Sequence, residues 1–278
     1  MHSHSTASDG TCAPDKVMRR ASAAGLDAIA LTDHDTVAGH RAAAAALPPG
    51  LTLVPGMELS CRLEGHSVHL LGYLFDPADA ELAAECARIR DSRLHRARAM
   101  VDRLAELGAP VTWEQVSAIA GDGVVGRPHI ARAMAAAGVI SSPDEAFGPD
   151  WIGTGGRAHV TRYALDPARA IALIRAARGV AVLAHPRAGA RGWMMPDDVI
   201  ADLAAAGLHG IEVWHPDQGR EQRARLAALA TDLGLVASGG SDDHGALTGY
   251  RIGCETIAPE EYQRLLSQAT GAAPVQGR

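Results

Sequence analysis

Thirteen histidines occur in this chain of 278 residues, and several are spaced as metal ligands would be. His2 and His4 form an HxH pair, in which alternate residues of an extended segment point the same way, so both imidazoles can reach one ion. Other histidines and carboxylates lie in or just beyond short apolar segments, namely Asp9, His34, Glu58, His69, His185, Asp242 and His244. Nitrogen and oxygen donors without cysteine suit Mn, Fe or Zn. This set is larger than the roughly four to six ligands that one such ion takes, so more than one ion is predicted.

The segments that must position these residues alternate between strand and helix patterns. Strand-length apolar runs occur at 26–32, 51–54, 68–74, 180–184, 210–214 and 235–238, and helical patterns at 14–24, 36–46, 171–178 and 220–233, with another helix ending near 206. Such alternation indicates βα units and a mostly parallel sheet. In α/β barrels the carboxyl ends of the strands carry the active site, which is where most candidate ligands fall. The remaining histidines, His40, His66, His95, His159 and His209, are expected to be ordinary core or surface residues.

A long helical stretch interrupts this alternation. We therefore predict a barrel domain at 1–76 and 159–278, with a helical insertion at 77–158 whose helices cover 81–107 (one or two), 110–119 and 128–137. The insertion is rich in arginine: Arg88, Arg90, Arg93, Arg96, Arg98, Arg103, Arg127 and Arg132. They form either a solvated helix face or a phosphate-binding cap. Residues 270–278 are predicted to be a frayed tail.

Composition restricts the partners of the chain. The net charge of −6 argues against a protein that coats long duplex nucleic acid. No run of 18 or more apolar residues exists, so neither a membrane span nor a membrane partner is expected. Four widely spaced cysteines, with no CxxC pair, predict unpaired thiols and a cytoplasmic location.

Several motifs resemble those of the PHP (polymerase and histidinol phosphatase) superfamily, and they occur in the same order as in that family. The motifs are His2-Ser3-His4-Ser5, Ser8-Asp9-Gly10, Thr32-Asp33-His34-Asp35, Gly56-Met57-Glu58, His69-Leu70-Leu71-Gly72-Tyr73, Ala184-His185-Pro186 and Gly240-Ser241-Asp242-Asp243-His244. The resemblance implies a distorted (β/α)7 barrel that holds up to three divalent ions, with Mn favoured over Fe or Zn. It implies one ion between His2, His4, Glu58 and Asp242. A second would lie between Glu58, His69 and His185, and a third between Asp9, His34 and His244.

The insertion resembles one branch of this family. Its motif Gly126-Arg127-Pro128-His129-Ile130-Ala131-Arg132 is similar to that of stand-alone phosphoesterases with a helical cap. The branch includes phosphatases of 3′,5′-bisphosphonucleotides and a 5′-to-3′ exoribonuclease. The resemblance implies a small phosphorylated nucleotide or a short RNA 5′ end as substrate, with Arg127 and His129 as phosphate contacts. The less favoured alternative is an ordinary helix start, since proline is favoured there.

The predicted chemistry is metal-assisted hydrolysis, in which divalent ions activate a water molecule and neutralise the phosphate oxygens. Arg187 and His215, each just past a strand, are further candidate phosphate contacts. The general acid stays open between a water molecule held by the ions, Asp35 and Asp243.

Three alternatives remain. A histidinol-phosphatase-type enzyme would share the metal centre, and an inactive PHP domain would only bind a partner. An amidohydrolase-like enzyme would need another bridging ligand than a carboxylated lysine, since Lys16 is the only lysine and lies in the first helix.

The beginning of the chain departs from the family pattern. An aspartate normally lies two residues before the first histidine, on a complete first strand, whereas only Met1 precedes His2 here. A start further upstream is one interpretation. For the chain as written we expect two open sheet edges and a weaker hold on His2 and His4.

Overall fold

The chain folds into two compact units, which a computed structural model describes for residues 1–121, 123–189 and 193–277. The first unit comprises Met1–Glu85 and Ala164–Arg278, and the second comprises Cys86–Tyr163. The break in the alternating pattern thus marks a separate packing unit.

The first unit is built on a curled mixed sheet. Its strands are β1 (Ala28–Leu31), β2 (Thr52–Leu63), β3 (His66–Tyr73), β4 (Val180–Leu183), β5 (Gly210–Trp214), β6 (Val236–Gly239) and β7 (Val275–Gln276). The sheet order is β1-β2-β3-β4-β5-β6, with β7 paired to β2. β1 is parallel to β2, and β4, β5 and β6 are parallel to one another, but β3 is antiparallel to both β2 and β4.

Three sequence-based expectations are corrected by these strands. The sheet is less parallel than predicted, because β2 and β3 form a hairpin through Glu64 and Gly65, whose positive φ angles (49° and 86°) allow a tight turn. β2 extends to Leu63, so Glu58 lies within it rather than after it. Part of the predicted frayed tail is β7, which pairs Val275 with Leu53.

Nine α-helices lie in the described residues, besides two short 3₁₀ helices, Pro143–Phe147 and Gly245–Thr248. The α-helices are α1 (Pro14–Ala23), α2 (His40–Ala45), α3 (Ala80–Glu106), α4 (Trp113–Ala120), α5 (Arg127–Ala136), α6 (Pro167–Ala176), α7 (Asp197–Ala205), α8 (Arg220–Asp232) and α9 (Pro259–Ser267). Proline occupies the first turn of α1, α5, α6 and α9, where its missing N–H costs no hydrogen bond. The arginine-rich stretch 81–107 is one helix, α3. None of these helices combines the length and hydropathy that a bilayer crossing requires.

The first five residues join the two ends of the sheet. The Met1 amino group donates to the Gly239 carbonyl (3.0 Å), and the His4 amide donates to the Asp243 carbonyl (2.9 Å). On the other side, the Thr32 amide donates to the Ser3 carbonyl (2.9 Å). The expectation of open edges here is therefore wrong, because this short segment takes the place of a strand. Its effect on metal affinity stays a prediction.

Separate apolar cores support the sheet and the insertion. In β1, Ala30 packs in a cluster with Val54 and Val182, whereas Leu31 packs against α1 on the opposite face. The second unit has its own core, which includes Met100, Leu104, Val116, Ile130, Met134 and Ile152. Because both faces of β1 pack against apolar clusters, its residues are apolar. Polar residues, including a candidate ligand, follow directly after the strand ends.

Candidate metal centre

The predicted ligands converge on two buried carboxylates, Glu58 and Asp242. Three groups of side chains each bring one donor atom within 4.8 Å of the others: His2, His4, Glu58 and Asp242; His34, Glu58 and His69; and His4, Asp9, His34 and His244. Glu58 and His69 lie within β2 and β3, and the other residues lie in the first segment, in the turn after it, and in the loops after β1 and β6.

The first group has the dimensions of a tetrahedral site. The Nε2 atoms of His2 and His4 are 3.1 Å apart. Each lies 3.1–3.3 Å from Glu58 Oε2 and 3.2–3.3 Å from Asp242 Oδ1. Ligands on an ion with bonds of about 2.1 Å would be about 3.4 Å apart in a tetrahedron. The measured separations between these donor atoms are therefore close to the spacing that a tetrahedral site requires.

The second group depends on the register of the β2–β3 hairpin. Glu58 pairs with Leu71 and His69 with Ser60, so Glu58 and His69 are diagonal neighbours on one face. Glu58 Oε1 lies 2.7 Å from His69 Nδ1 and 3.1 Å from His185 Nε2, while Oε2 lies 3.1 Å from His34 Nδ1. Glu58 can therefore reach two ions at once, one through each oxygen.

The third group surrounds Asp9 in the turn after the first segment. Asp9 Oδ1 lies 3.3 Å from His244 Nε2 and 3.9 Å from His4 Nδ1, and Oδ2 lies 3.8 Å from His34 Nε2. The first separation is close to the spacing of about 3.4 Å between neighbouring ligands on one ion, and the two longer ones exceed hydrogen-bond length. The structure adds His4 to the three residues that the resemblance implied.

The electrostatics of the centre favour a cation. Burial raises the pKa of Glu58, but neighbouring histidines, His34 foremost, outweigh it and hold this pKa well below its usual range. Burial lowers the pKa of His2, yet Asp242, Glu212 and Glu58 together raise it to about 9. The field that favours a proton on these imidazoles also favours a divalent ion, and the two compete.

Unsatisfied donor atoms support the fit to metal ions. Among the described residues, His4 Nδ1 and Asp9 Oδ1 are buried and find no hydrogen-bond partner. A buried polar atom of this kind costs about 1–3 kcal/mol unless something satisfies it. A donor set of imidazole nitrogens and carboxylate oxygens, with such atoms facing its centre, suits divalent transition metals.

The backbone at the site is held in uncommon conformations. His185 and Asp242 have φ angles of 30° and 47°, in the left-handed region that non-glycine residues rarely adopt. Nearby, the Asp33 carboxylate accepts hydrogen bonds from the Ser5 amide (2.7 Å) and the Ser8 hydroxyl (2.6 Å). These contacts fix the first segment and its turn, which carry His2, His4 and Asp9.

Two of the four predicted phosphate contacts lie in the first unit, and their geometry favours structural roles. Arg187 is buried, with Nε donating to the Met195 carbonyl (3.2 Å) and Nη2 to the Asp197 carboxylate. The His215 ring accepts at Nδ1 from the Asp217 amide (3.1 Å) and places Nε2 3.4 Å from Asp242 Oδ2. His215 therefore contacts a candidate ligand.

The other two lie in the second unit. Arg127 begins α5, with its guanidinium 5.6 Å from the centre of the Phe147 ring. His129 is buried in the same helix, and its Nδ1 accepts from the Gly126 amide (3.0 Å). The Arg-rich face is not simply solvated, since Arg93 and Arg96 are buried. A phosphate role for Arg127 and His129 stays a prediction.

Asp35 and Asp243, the two side chains named as possible general acids, accept hydrogen bonds from neighbouring protein groups. The Asp35 carboxylate accepts from the amide and hydroxyl of Ser60 (both 2.8 Å). The Asp243 carboxylate accepts from the Arg251 amide (2.7 Å) and the Gly245 amide (3.2 Å). Both residues are buried, so they are poorly placed to donate a proton to a leaving group.

Sequence reasoning missed Glu212, which lies in β5. Its carboxylate contacts His2 Nδ1 at 3.0 Å, and burial raises its pKa while His2 and other histidines lower it to about 2. The signal was present in the sequence, because Glu212 is the only charged residue in the otherwise apolar strand GIEVW. A charge at such a position calls for a buried partner.

Comparisons with known proteins show the family of the chain. The PHP domain family profile matches residues 1–109. The chain is 37% identical to a 5′-3′ exoribonuclease of Haemophilus influenzae, over 88% of this chain and 89% of that protein. It is 34% identical to a 3′,5′-nucleoside bisphosphate phosphatase of Chromobacterium violaceum, over 88% and 86%. A crystal structure from Bifidobacterium adolescentis, assigned as a metal-dependent phosphoesterase, superposes with a TM-score of 0.90 at 33% identity, covering 97% of this chain and 95% of that one.

Proposed function

Because the chain belongs to the PHP family and is a metal-dependent phosphoesterase, we propose that it acts on nucleotides. The proposed substrates are 3′,5′-bisphosphonucleotides, cleaved at the 3′-phosphate, and short RNA trimmed from its 5′ end. The relatives named for these two activities motivate this substrate class. Mn is the proposed native metal, and the cytoplasm the proposed location.

The observation that carries the proposal is the convergence of nine side chains, seven of which lie around Glu58 and Asp242. The ligand groups that we propose are those that the resemblance implies: His2, His4, Glu58 and Asp242; Glu58, His69 and His185; and Asp9, His34 and His244. In the structure His34 also lies beside Glu58 and His4 beside Asp9, so these two histidines lie between groups. Divalent ions bound there would neutralise the phosphate oxygens and lower the pKa of the attacking water. The chain would position the ions through Glu58, which lies between the groups, and through outer hydrogen bonds such as those of the His2 and His244 rings.

Arg127 and His129 are proposed to hold the substrate phosphate. Guanidinium can donate two parallel hydrogen bonds to a phosphate, and His129 has its Nδ1 engaged as an acceptor, which leaves Nε2 as the proton-bearing nitrogen of a neutral ring. Neither Arg187 nor His215 is assigned this role, since the ring or guanidinium of each contacts neighbouring protein groups. The bridging-lysine chemistry of amidohydrolases has no counterpart, since Lys16 is exposed in α1.

The test compares turnover of 3′,5′-bisphosphoadenosine and of a 5′-phosphorylated oligoribonucleotide, both with added Mn, in wild type and His185→Ala. We expect turnover of at least one substrate, and at least a ~100-fold loss in the variant, since several kcal/mol of transition-state stabilisation depends on the ions. His66→Ala serves as a matched control, because His66 is exposed and stacks on Trp193.

Two outcomes would overturn parts of the proposal. Equal rates in wild type and His185→Ala would refute the assignment of the site. Hydrolysis of histidinol phosphate without activity on either nucleotide would refute the substrate class.

A further inference from the structure

Glu212 is a buried carboxylate that the ligand groups leave out. It lies in the middle of β5, fully buried, between the first segment of the chain and the residue that follows β4. Its Oε1 is 3.0 Å from His2 Nδ1, and its Oε2 accepts a hydrogen bond from the His185 amide (2.9 Å). One carboxylate therefore contacts two candidate ligand residues that are far apart in the sequence.

The hydrogen bond decides which nitrogen of His2 can bind a metal. A neutral imidazole carries one proton, and the nitrogen that donates it to a carboxylate leaves the other nitrogen as an acceptor. With Nδ1–H donated to Glu212, the lone pair is on Nε2, which faces His4, Glu58 and Asp242 at 3.1–3.3 Å.

The contact to His185 acts on the backbone. Its amide N–H must find an acceptor because it is buried, and Glu212 Oε2 supplies one. This amide belongs to the residue with φ of 30°, so the hydrogen bond supports an uncommon conformation that directs the His185 ring to Glu58. Removing the acceptor would affect both histidines.

The surrounding fold leaves space for this carboxylate. A Cβ on Gly240 would lie 2.4 Å from the His2 Cβ and 2.9 Å from Glu212 Oε1, so only glycine fits there. The Gln218 side chain donates to the Glu212 carbonyl (3.0 Å) and holds the end of the strand. Neighbours on two sides thus keep the carboxylate against His2.

We propose that Glu212 is a positioning residue that fixes His2 as the Nδ1–H tautomer, aims its Nε2 at the ion shared with His4, Glu58 and Asp242, and anchors the His185 backbone. The role rests on the metal centre of the proposed function. Carboxylate–histidine–metal triads of this kind raise ligand basicity and orient the ring.

The principal test is Glu212→Gln, which preserves volume. If the amide oxygen faces His2, the amide NH₂ faces the His185 N–H and two donors meet. If the amide is flipped, the NH₂ faces His2 Nδ1 and favours a proton on Nε2, which cannot then bind an ion. We expect the affinity for the ion at His2 to fall about 10–100-fold, with a smaller loss for the ion at His185, whose side chain Glu212 affects only through the backbone.

Affinity is measured by competition with a chelator, and the Co²⁺ absorption spectrum of the substituted protein gives a readout independent of turnover. Glu261→Gln is the matched control, since Glu261 also accepts a strand amide, that of Ala237 (3.1 Å), but contacts no candidate ligand among the described residues. A purely structural role for Glu212 predicts a lower Tm of the chelator-treated variant with unchanged affinity, and that result would overturn the proposal.

Two further measurements do not depend on how well Glu212→Gln folds. In a His2→Ala background, Glu212→Gln should cause little additional loss of affinity at that ion, and a full additional loss would contradict action through His2. In Zn-loaded wild type, long-range ¹H–¹⁵N spectra should show the His2 proton on Nδ1, and a proton on Nε2 would overturn the proposal.

These outcomes are distinguishable from failure of the proposed function. Wild type that binds ions, with the expected loss in Glu212→Gln but no nucleotide turnover, would refute the substrate class and support Glu212. Nucleotide turnover by wild type, with unchanged metal affinity in Glu212→Gln, would support the substrate class and refute the role of Glu212.

Discussion

At the scale of single residues, the centre depends on which nitrogen of each histidine is already engaged. His2 has Nδ1 on Glu212, and His215 has Nδ1 on the Asp217 amide, so both rings direct Nε2 toward Asp242. For His215, Nε2 must carry the proton and donates toward Asp242 Oδ2, whereas His2 offers a lone pair. Two histidines at one carboxylate thus differ in role because of their outer hydrogen bonds.

Replacing His215 with alanine tests this difference. Loss of its N–H leaves Asp242 Oδ2 less well oriented, so we expect metal affinity to fall about 10–100-fold. A phosphate contact would instead raise KM with unchanged metal content. Metal content by mass spectrometry and KM for the nucleotide separate the two roles. His40→Ala, which removes a ring contact to the Gly56 carbonyl (2.8 Å) outside the centre, should change neither.

At the scale of elements, the pairing of strands places the ligands. A histidine outside the metal centre, His209, helps to hold β4 and β5 together. His209 precedes β5, and its amide donates to the Ala181 carbonyl of β4 (2.8 Å). In return, the Ala181 amide donates to His209 Nδ1 (3.1 Å). Burial, with a smaller effect of Arg175, lowers the pKa of His209 below 6.5. The neutral ring is thus part of the β4–β5 junction.

This pKa predicts a pH-dependent contribution to stability. Because the folded-state pKa is below that of the unfolded chain, the contribution is complete above pH 6.5 and is lost as the pH falls from there toward the folded-state pKa. His209→Asn keeps an acceptor for the Ala181 amide but does not titrate. Urea unfolding of chelator-treated proteins gives the free energy of unfolding at each pH. As the pH is lowered from 7.5 to 5, we expect this free energy to fall less in the variant than in wild type. A constant difference across this range would contradict the assignment.

At the scale of the whole molecule, the two units have independent apolar cores. The second unit, Cys86–Tyr163, packs α4 and α5 through residues such as Val116, Ile130 and Met134. The first unit packs its sheet and α6 separately, with Ile171 fully buried. The metal ligands proposed here all belong to the first unit.

A substitution that removes side-chain volume from the core of one unit should therefore leave the other unit folded. Ile130→Ala should destabilise the second unit by about 2–5 kcal/mol, as expected for a buried isoleucine, and leave metal content unchanged. Ile171→Ala is the matched change in the first unit, and it should lower metal retention on heating. Limited proteolysis with mass spectrometry locates the unfolded unit. Loss of metal in Ile130→Ala would falsify this separation.

Much of the fold could be predicted because its signals are local. Strand and helix patterns gave β4, β5 and α8 almost to the residue, since periodicity and terminating glycines act over a few positions. The antiparallel β3 could not be derived from these patterns, because its direction depends on pairing with both β2 and β4. The extension of β2 past Pro55 was missed because proline and glycine normally end a strand.

The sequence by itself determined the set of metal-ligand candidates, because ligand chemistry is a property of residue type and the motifs show these residue types in or near predicted strands. Only the tertiary structure decided which of these side chains lie next to one another, which nitrogen a histidine such as His2 presents, and that Arg187 and His215 contact neighbouring protein groups. Glu212 and His2 are 210 positions apart, and no local pattern records a contact that long-range sheet closure creates. The types and spacing of residues along the chain determine which metal ions can bind, and the packing of strands and loops determines the geometry of the ligands around them.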